Sequence, residues 1–247
     1  MSRSPLRVTS AVGLGLIAGA AEAAAETFAD GFAGGEPQLA WQSHPLFDGG
    51  AVEGEAADDA PDGDGGIGVL AHEGGGLATI SYPETVRAED TFAVEAWVDC
   101  PLEPEGRDGT LTGIAFFIQT EMEGEDPEKS GFYRLVCSYR AGIGAFTLAY
   151  VGPNIGRMPL EIERWELLEQ APPPESGSWR KIRVEVELGL MEIYLDDVLL
   201  NQRPLPVERV ITDIANLDAG YAGVYAGHIG EEGTAEARID GFVYRVP

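Results

Sequence analysis

An all-β domain, built as a sandwich of two antiparallel sheets with little helix, is the architecture the sequence predicts. Three observations carry it. Apolar and polar residues alternate with a period of two in run after run. Clusters of Gly, Pro and Asp bound those runs, as turns between short strands require. Helical spacing occurs in one stretch only, Glu161–Glu169 (EIERWELLE), long enough for a turn or two before the prolines of APPPESGS stop it.

The chain opens MSRSPLRVTSAVGLGLIAGAAEAAAE. Arg3 and Arg7 precede an uncharged run from Val8 to Ala21, and Ala-x-Ala spacings follow at Ala21/Ala23 and Ala23/Ala25. A basic start, an apolar middle and a small-residue end, in that order, are the layout of a secretory signal peptide. Residues 1–25 are therefore expected to be removed, and the protein to be secreted or periplasmic. The apolar run is too short to span a bilayer comfortably, and no later segment is long and apolar enough. Residues 26–247 are then one β-sandwich domain with chain enough for a sizeable core.

The chain has 42 acidic and 16 basic residues, a formal net charge of −26. Such a surface repels phosphate backbones and anionic lipid, which argues against nucleic acid and the membrane surface as partners. It attracts cations such as Ca²⁺, and it equally suits a protein that must stay soluble in salty surroundings. Cys100 and Cys137 are the two cysteines. An oxidising compartment allows them to pair, although a domain of this size does not need a disulfide. They do not form a zinc site, because four ligands are required and His44, His72 and His228 are scattered along the chain.

Strands are expected at Thr79–Tyr82, Phe92–Asp99, Thr112–Thr120, Phe132–Tyr139, Ala145–Tyr150, Lys181–Leu188, Met191–Leu195, Tyr221–Ala226 and Ala235–Val246. Segment 48–66, DGGAVEGEAADDAPDGDGG, is acidic, Gly-rich and without aromatics, and reads as a loop. Its Asp62-x-Asp64-Gly65 fragment resembles part of a calcium loop. It lacks an acidic or amide residue at position 60 and the closing Glu, so a solvated loop is the expectation. In Lys181–Leu188, Ile182, Val184, Val186 and Leu188 point one way while Lys181, Arg183, Glu185 and Glu187 point the other. A Gly-Leu turn leads into Met191, Ile193 and Leu195 on the next apolar face, and Asp196-Asp197 ends that strand. One packed and one wet face is what a sandwich requires.

The stretch GSWRKIRVEVELGLMEIYLDDVLL, followed by DAGYAGVYAGHIGEEGTAEARIDGFVYRV, resembles the C-terminal half of the concanavalin A-like jelly-roll superfamily. That superfamily includes laminin G-like domains and many secreted bacterial glucanases, lyases and sugar-binding modules. The matching features are Trp179 opening a strand, the acidic turn Asp196/Asp197, Gly220 to Gly223, and Asp240 ahead of the final alternation. ETFADGFAGGEPQLAW resembles the family's opening strand and FAVEAWV its central one. The resemblance implies a jelly-roll sandwich; it does not by itself select an activity.

The glucanase branch carries its acid and nucleophile as Glu-x-Asp-x-x-Glu, and no Glu-x-Asp occurs in this chain. Glu185 and Glu187 share one strand face at a spacing suited to glycoside hydrolysis, but Lys181 and Arg183 lie on that face and neutralise it. The lyase branches need a His or Tyr base near Arg and Gln, for which Gln119, Arg134, Tyr133 and Tyr139 lie on predicted strands. No catalytic residue is assigned. For ligand binding, alternation puts Glu95, Trp97 and Asp99 on one face of their strand. Together with Arg134 on an open concave sheet, they would combine an aromatic platform with charged hydrogen-bonding groups, as sugar sites do. The alternative places Trp97 in the core and makes Glu95–Arg134 a structural cross-strand pair.

In the resembling families a structural Ca²⁺ often ties the first strand to the last, through backbone carbonyls and an Asp near the start of the last strand. Asp240 matches that position, with Glu26 or Asp30 as a second carboxylate. Hard oxygen ligands suit Ca²⁺ rather than a transition metal. The expected function is a secreted, non-catalytic carbohydrate-binding or adhesive module for a polysaccharide or glycan. The alternatives are a polysaccharide-degrading glycoside hydrolase or lyase, and a cell-surface protein-interaction domain. An enzyme needs clustered acid and base groups, a sugar module needs exposed aromatics, and an interaction protein needs an exposed apolar patch.

Overall fold

The computed structural model describes residues 26–43, 51–73, 75–80, 91–100, 110–118, 132–140, 143–152, 160–161, 165–166, 179–188, 190–200, 205–206, 221–228 and 234–246. The expected signal peptide lies outside them. Two antiparallel sheets make up the domain. The nine-stranded sheet runs β14 (Val198–Leu199), β13 (Leu190–Leu195), β12 (Trp179–Glu187), β6 (Phe92–Asp99), β17 (Thr234–Val246), β4 (Gly66–Glu73) and β3 (Glu53–Ala56). On this sheet β1 (Glu26–Asp30) also pairs with β17, and β15 (Leu205–Pro206) with β13. The eight-stranded sheet runs β10 (Leu160–Glu161), β9 (Ile143–Gly152), β8 (Phe132–Arg140), β7 (Thr110–Ile118), β16 (Tyr221–His228), β5 (Gly75–Ile80) and β2 (Trp41–Ser43), with β11 (Trp165–Glu166) on β9.

Alternation decides which side chains meet between the sheets. Val94, Ala96 and Val98 of β6, Ile182, Val184 and Val186 of β12, and Ile193 of β13 are buried against Ile114 and Phe116 of β7, Leu135 of β8 and Val224 of β16. Facing rows of apolar residues in two stacked sheets are the sandwich core. β12 and β13 pair in the register Ile182↔Leu195 through Glu187↔Leu190, which brings the apolar faces of both strands to the same side. Asp196 and Asp197 follow with φ of 49° and 63°, a turn of left-handed residues whose twist matches the flanking strands. Cys100, just after β6, and Cys137, on β8, are joined by a disulfide that links the two sheets through the core.

Two expectations are corrected here. Of the stretch Glu161–Glu169, the described residues Glu161, Trp165 and Glu166 are in strands β10 and β11, which pair with β9, and not in a helical turn. Leu160 and Glu161 sit opposite Gly152 and Val151, and Trp165 and Glu166 opposite Leu148 and Thr147, so sheet-edge pairing overrides a short helical pattern. Segment 48–66 is not loop throughout either. Glu53–Ala56 forms β3 against Gly66–Val69, strands whose glycines and acids hide their alternation.

Candidate functional site

The four residues expected to line one groove lie on two sheets. Glu95, Trp97 and Asp99 are on β6, which pairs with β12 and β17, whereas Arg134 is on β8, between β7 and β9. The shared groove is therefore corrected. Glu95 is held by Arg245 at 2.8 Å and Lys181 at 3.7 Å, and Asp99 by Arg238 at 2.8 Å. These are cross-strand ion pairs on the outward face of the nine-stranded sheet. Trp97, opposite Lys181 and Asp240, is half-buried among them. Glu185 is on the same face, paired with Arg183 at 3.2 Å, and Glu187 is exposed at the strand end. Gln119 and the side chains of Tyr133 and Tyr139 lie outside the described part.

Arg134 belongs instead to the outward face of the eight-stranded sheet. Leu135 and Cys137 point into the core, so Phe132, Arg134, Val136 and Ser138 point away from it. The same alternation turns Leu111, Gly113 and Ala115 of β7, and Tyr221, Gly223, Tyr225 and Gly227 of β16, to that face. The registers then lay out two rows: Gly223, Ala115, Arg134 in one, and Tyr225, Gly113, Val136, Thr147, Glu166 in the next. Glycine and alanine make the floor between them low enough for Arg134 to cross β7. Its Nη1 donates to the Tyr225 hydroxyl at 2.6 Å, and its guanidinium lies 4.9 Å from the Tyr225 ring centre. Tyr225 in turn lies over Gly227, where an added Cβ would collide with its hydroxyl. Phe132 packs on the other side of the ring, 5.7 Å centre to centre, and half-buried Tyr221 flanks the cluster.

Sequence reasoning missed Tyr225, Tyr221 and Thr147. The alternation in YAGVYAGH places the two tyrosines on one face, but nothing local says that this face meets Arg134. Thr147 is flanked by core residues Phe146 and Leu148 and sits opposite Val136, so its hydroxyl is on the outward side. It is 4% exposed and its Oγ1 has no hydrogen-bond partner among the described residues.

A second cluster lies where β17 begins its bulge. One carboxylate oxygen each of Asp62, Asp64 and Asp240 lies within 4.8 Å of the others, an arrangement that can hold a metal ion. Asp240 accepts from the backbone N–H of Asp62 at 3.1 Å and of Gly241 at 2.6 Å. Asp62 accepts from the N–H of Asp64 at 3.0 Å, and Asp64 from that of Gly66 at 3.1 Å. Burial, reinforced by the negative charge of Asp62, pushes the Asp240 carboxyl up to about 7, while the donors on Asp62 and Gly241 pull the other way. Asp64 is also raised, first by burial and then by the neighbouring Asp62 carboxylate. Gly31 leaves the space above these oxygens open, since a Cβ there would stand 2.9 Å from Asp64 Oδ2 and 3.1 Å from Asp62 Oδ2.

Of the three carboxylates expected at a metal, only Asp240 is in this cluster. Asp30 is 1% exposed and spends its oxygens on the N–H groups of Phe32, Gln38 and Leu39 and on the Trp41 indole, at 2.8 to 3.1 Å. It organises the loop that carries Gly31, including Phe32 in the left-handed region at φ 54°. Glu26 is exposed at the far end of β1, opposite Val246. The other two carboxylates come from the segment expected to be a solvated loop, brought to Asp240 by the β3–β4 hairpin.

No protein-family model and no curated protein matches the chain. Solved structures do. The chain is similar to the carbohydrate recognition domain of Emp47p, at 16% identity and a TM-score of 0.52 over 88% of this chain and 93% of that one. It is similar to the cellulose-induced protein Cip1, at 13% identity and a TM-score of 0.52 over 88% and 96%. A third is a GH43 protein, BlXynB from Bacillus licheniformis, at 11% identity and a TM-score of 0.51, covering 89% of this chain but 39% of that one. These likenesses establish the fold, a concanavalin A-like jelly-roll sandwich of two antiparallel sheets.

Proposed function

We propose that the protein is a secreted, non-catalytic carbohydrate-binding module whose glycan lies across the outward face of the eight-stranded sheet, with Ca²⁺ at Asp62, Asp64 and Asp240. The observation that carries the reading is the Arg134–Tyr225 pair. It is a cation and a hydroxyl locked together over a glycine and alanine floor, flanked by the half-buried ring of Tyr221. Tyr225 and Phe132 are themselves buried, at 8% and 2% exposed, so half-buried Tyr221 is the ring on which a sugar would stack, beside a donor held in place by Tyr225. The likeness to a carbohydrate recognition domain along 93% of its length supports the same reading. The three carboxylates offer the hard oxygen donors that Ca²⁺ prefers, and Gly31 leaves room for the ion. The acidic sequence and the N-terminal signal-like segment fit an extracellular setting.

The second reading is a lyase, favoured by Tyr225, whose oxygen already receives a guanidinium hydrogen bond as a general base near an Arg would. One experiment separates the two. The protein lacking residues 1–25 is screened, with Ca²⁺ and with EDTA, against soluble polysaccharides, following binding and the release of reducing or unsaturated ends. Binding without product, lost in Tyr225→Ala, supports the module. Turnover replaces it with the lyase, and neither signal across the panel overturns both.

A further inference from the structure

Three half-buried rings, Trp97, Trp179 and Tyr194, stand on the outward side of the nine-stranded sheet, opposite in face to the core residues Ala96, Val98, Ile182 and Ile193 of their strands. Two of them are engaged. Arg183 lies 4.1 Å from the Tyr194 ring centre and Arg238 5.4 Å from that of Trp179, whose indole N–H donates to Asp59 at 3.5 Å. Trp97 has neither a cation over its ring nor an acceptor for its indole N–H among the described residues. It is directly opposite Asp240 in the pairing of β6 with β17, which puts the two Cβ atoms about 5 Å apart. The pyrrole edge of the ring lies against Gly241, where an added Cβ would stand 3.2 Å from its Cδ1. The ring left open on this face is therefore the neighbour of the carboxylate cluster.

The cluster by itself does not complete the surroundings of a cation. Oδ1 of Asp62 accepts from the N–H of Asp64 and Oδ1 of Asp64 from that of Gly66, which leaves the two Oδ2 atoms, those facing Gly31, free of backbone donors. Asp240 has an N–H group on each of its oxygens. With one oxygen from each carboxylate the cluster offers three ligands, and Ca²⁺ takes about six to eight. Asp62 and Asp64 are exposed, so a ligand arriving from solvent reaches them.

We infer that Asp62, Asp64, Asp240 and Trp97 form a second sugar subsite, in which two adjacent hydroxyls of a neutral sugar complete the shell of a Ca²⁺ ion while the sugar ring packs on Trp97. The inference rests on the calcium and carbohydrate readings above and adds a contact on the sheet opposite Arg134. Three carboxylates outnumber the charge of one divalent ion, so the site tolerates hydroxyl oxygens better than a further anion. Two hydroxyls on one rigid ring supply two ligands while only one group is ordered. The indole gives that ring an apolar surface and a donor at its edge, and its N–H gains the acceptor it lacks.

Tb³⁺, which takes the same oxygen ligands as Ca²⁺, supplies the test. Its indole-sensitised emission reports binding, and its emission lifetimes in H₂O and D₂O count the waters on the ion. Saturating mannan, laminarin or dextran is expected to remove about two waters from Tb³⁺ on wild type, one for each hydroxyl. The same loss is expected in Tyr225→Ala, whose change lies on the other sheet. In Trp97→Ala, calorimetry in Ca²⁺ with Tyr225→Ala as the background should show polysaccharide affinity at least tenfold lower, with cation affinity kept. Should Trp97→Ala fold poorly, Trp97→Phe keeps a ring, loses the N–H, and is expected to bind severalfold more weakly. A polysaccharide that binds while the water count stays unchanged makes the ion structural, which overturns the subsite and leaves carbohydrate binding standing. Undiminished affinity in both Trp97 variants also overturns the subsite. Absence of Tb³⁺ binding overturns the calcium reading together with this one, and no binding of any of the three polysaccharides overturns this inference and the carbohydrate reading alike.

Discussion

Replacing Asp240 with Asn should make the metal-free protein more stable at pH 8 while removing its response to Ca²⁺. Asp240 is fully buried, and burial first, then the charge of Asp62, raises its carboxyl from 3.8 to about 7. A group whose folded pKa is raised stabilises the fold through its protonated form. That contribution is complete below 3.8 and is lost as pH rises through about 7. Over this interval the loss is about 4 kcal/mol, at roughly 1.4 kcal/mol per unit of difference. Asn keeps the shape and one acceptor for the Asp62 and Gly241 N–H groups and gives up the other, at a cost of about 1 kcal/mol. At pH 8 in EDTA the variant should therefore lead by about 3 kcal/mol, which moves Tm upward by roughly 5–10 °C in a domain of this size. At pH 5 the wild-type carboxyl is largely protonated in the fold, and most of the gap should close. Ca²⁺ at a hundred times its Kd should add about 2.7 kcal/mol to wild type and little to the variant. Thermal melts at both pH values, in EDTA and in excess CaCl₂, measure all of this. A variant no more stable than wild type at pH 8 in EDTA, or one that responds to Ca²⁺ as wild type does, would refute the reasoning.

Gly31→Ala places a Cβ 2.9 Å from Asp64 Oδ2, and calorimetry should show Ca²⁺ affinity reduced by about tenfold, with the EDTA melt nearly unchanged. Asp30→Ala strands three backbone donors in the loop before β2 and the Trp41 indole on β2, so denaturant unfolding should show a loss of about 3–5 kcal/mol. Ile193→Ala opens a cavity in the core between the sheets, and the same assay should give about 2–5 kcal/mol. Glu192→Gln removes the carboxylate that accepts from Tyr194 at 2.6 Å and holds its hydroxyl up at about 12. NMR titration of labelled tyrosine should then find Tyr194 ionising at lower pH, and an unmoved midpoint would exclude that hydrogen bond as the cause.

By itself the sequence determined the long central strands, which of their residues share a face, and the class of fold, but not the short edge strands such as β3, β10 and β11. A period-two pattern is local, and in IRVEVE it declares which side chains share a face without reference to anything else. The same pattern placed Arg134 opposite in face to Leu135, and Glu95 and Trp97 opposite to Val94 and Ala96. What alternation cannot say is which sheet a face belongs to. Only the tertiary structure decided that Glu95, Trp97 and Asp99 look out from one sheet and Arg134 from the other, because that depends on hydrogen-bonded neighbours far away in the chain. Arg134 and Tyr225 are 91 residues apart, and Asp62 and Asp240 are 178 apart. Asp62 and Asp64 lie in a segment too polar and glycine-rich to show a strand on either side. Their role follows from the β3–β4 hairpin, the Asp30-ordered loop and the β17 bulge arriving at one point, a convergence written in long-range pairing rather than in any local pattern.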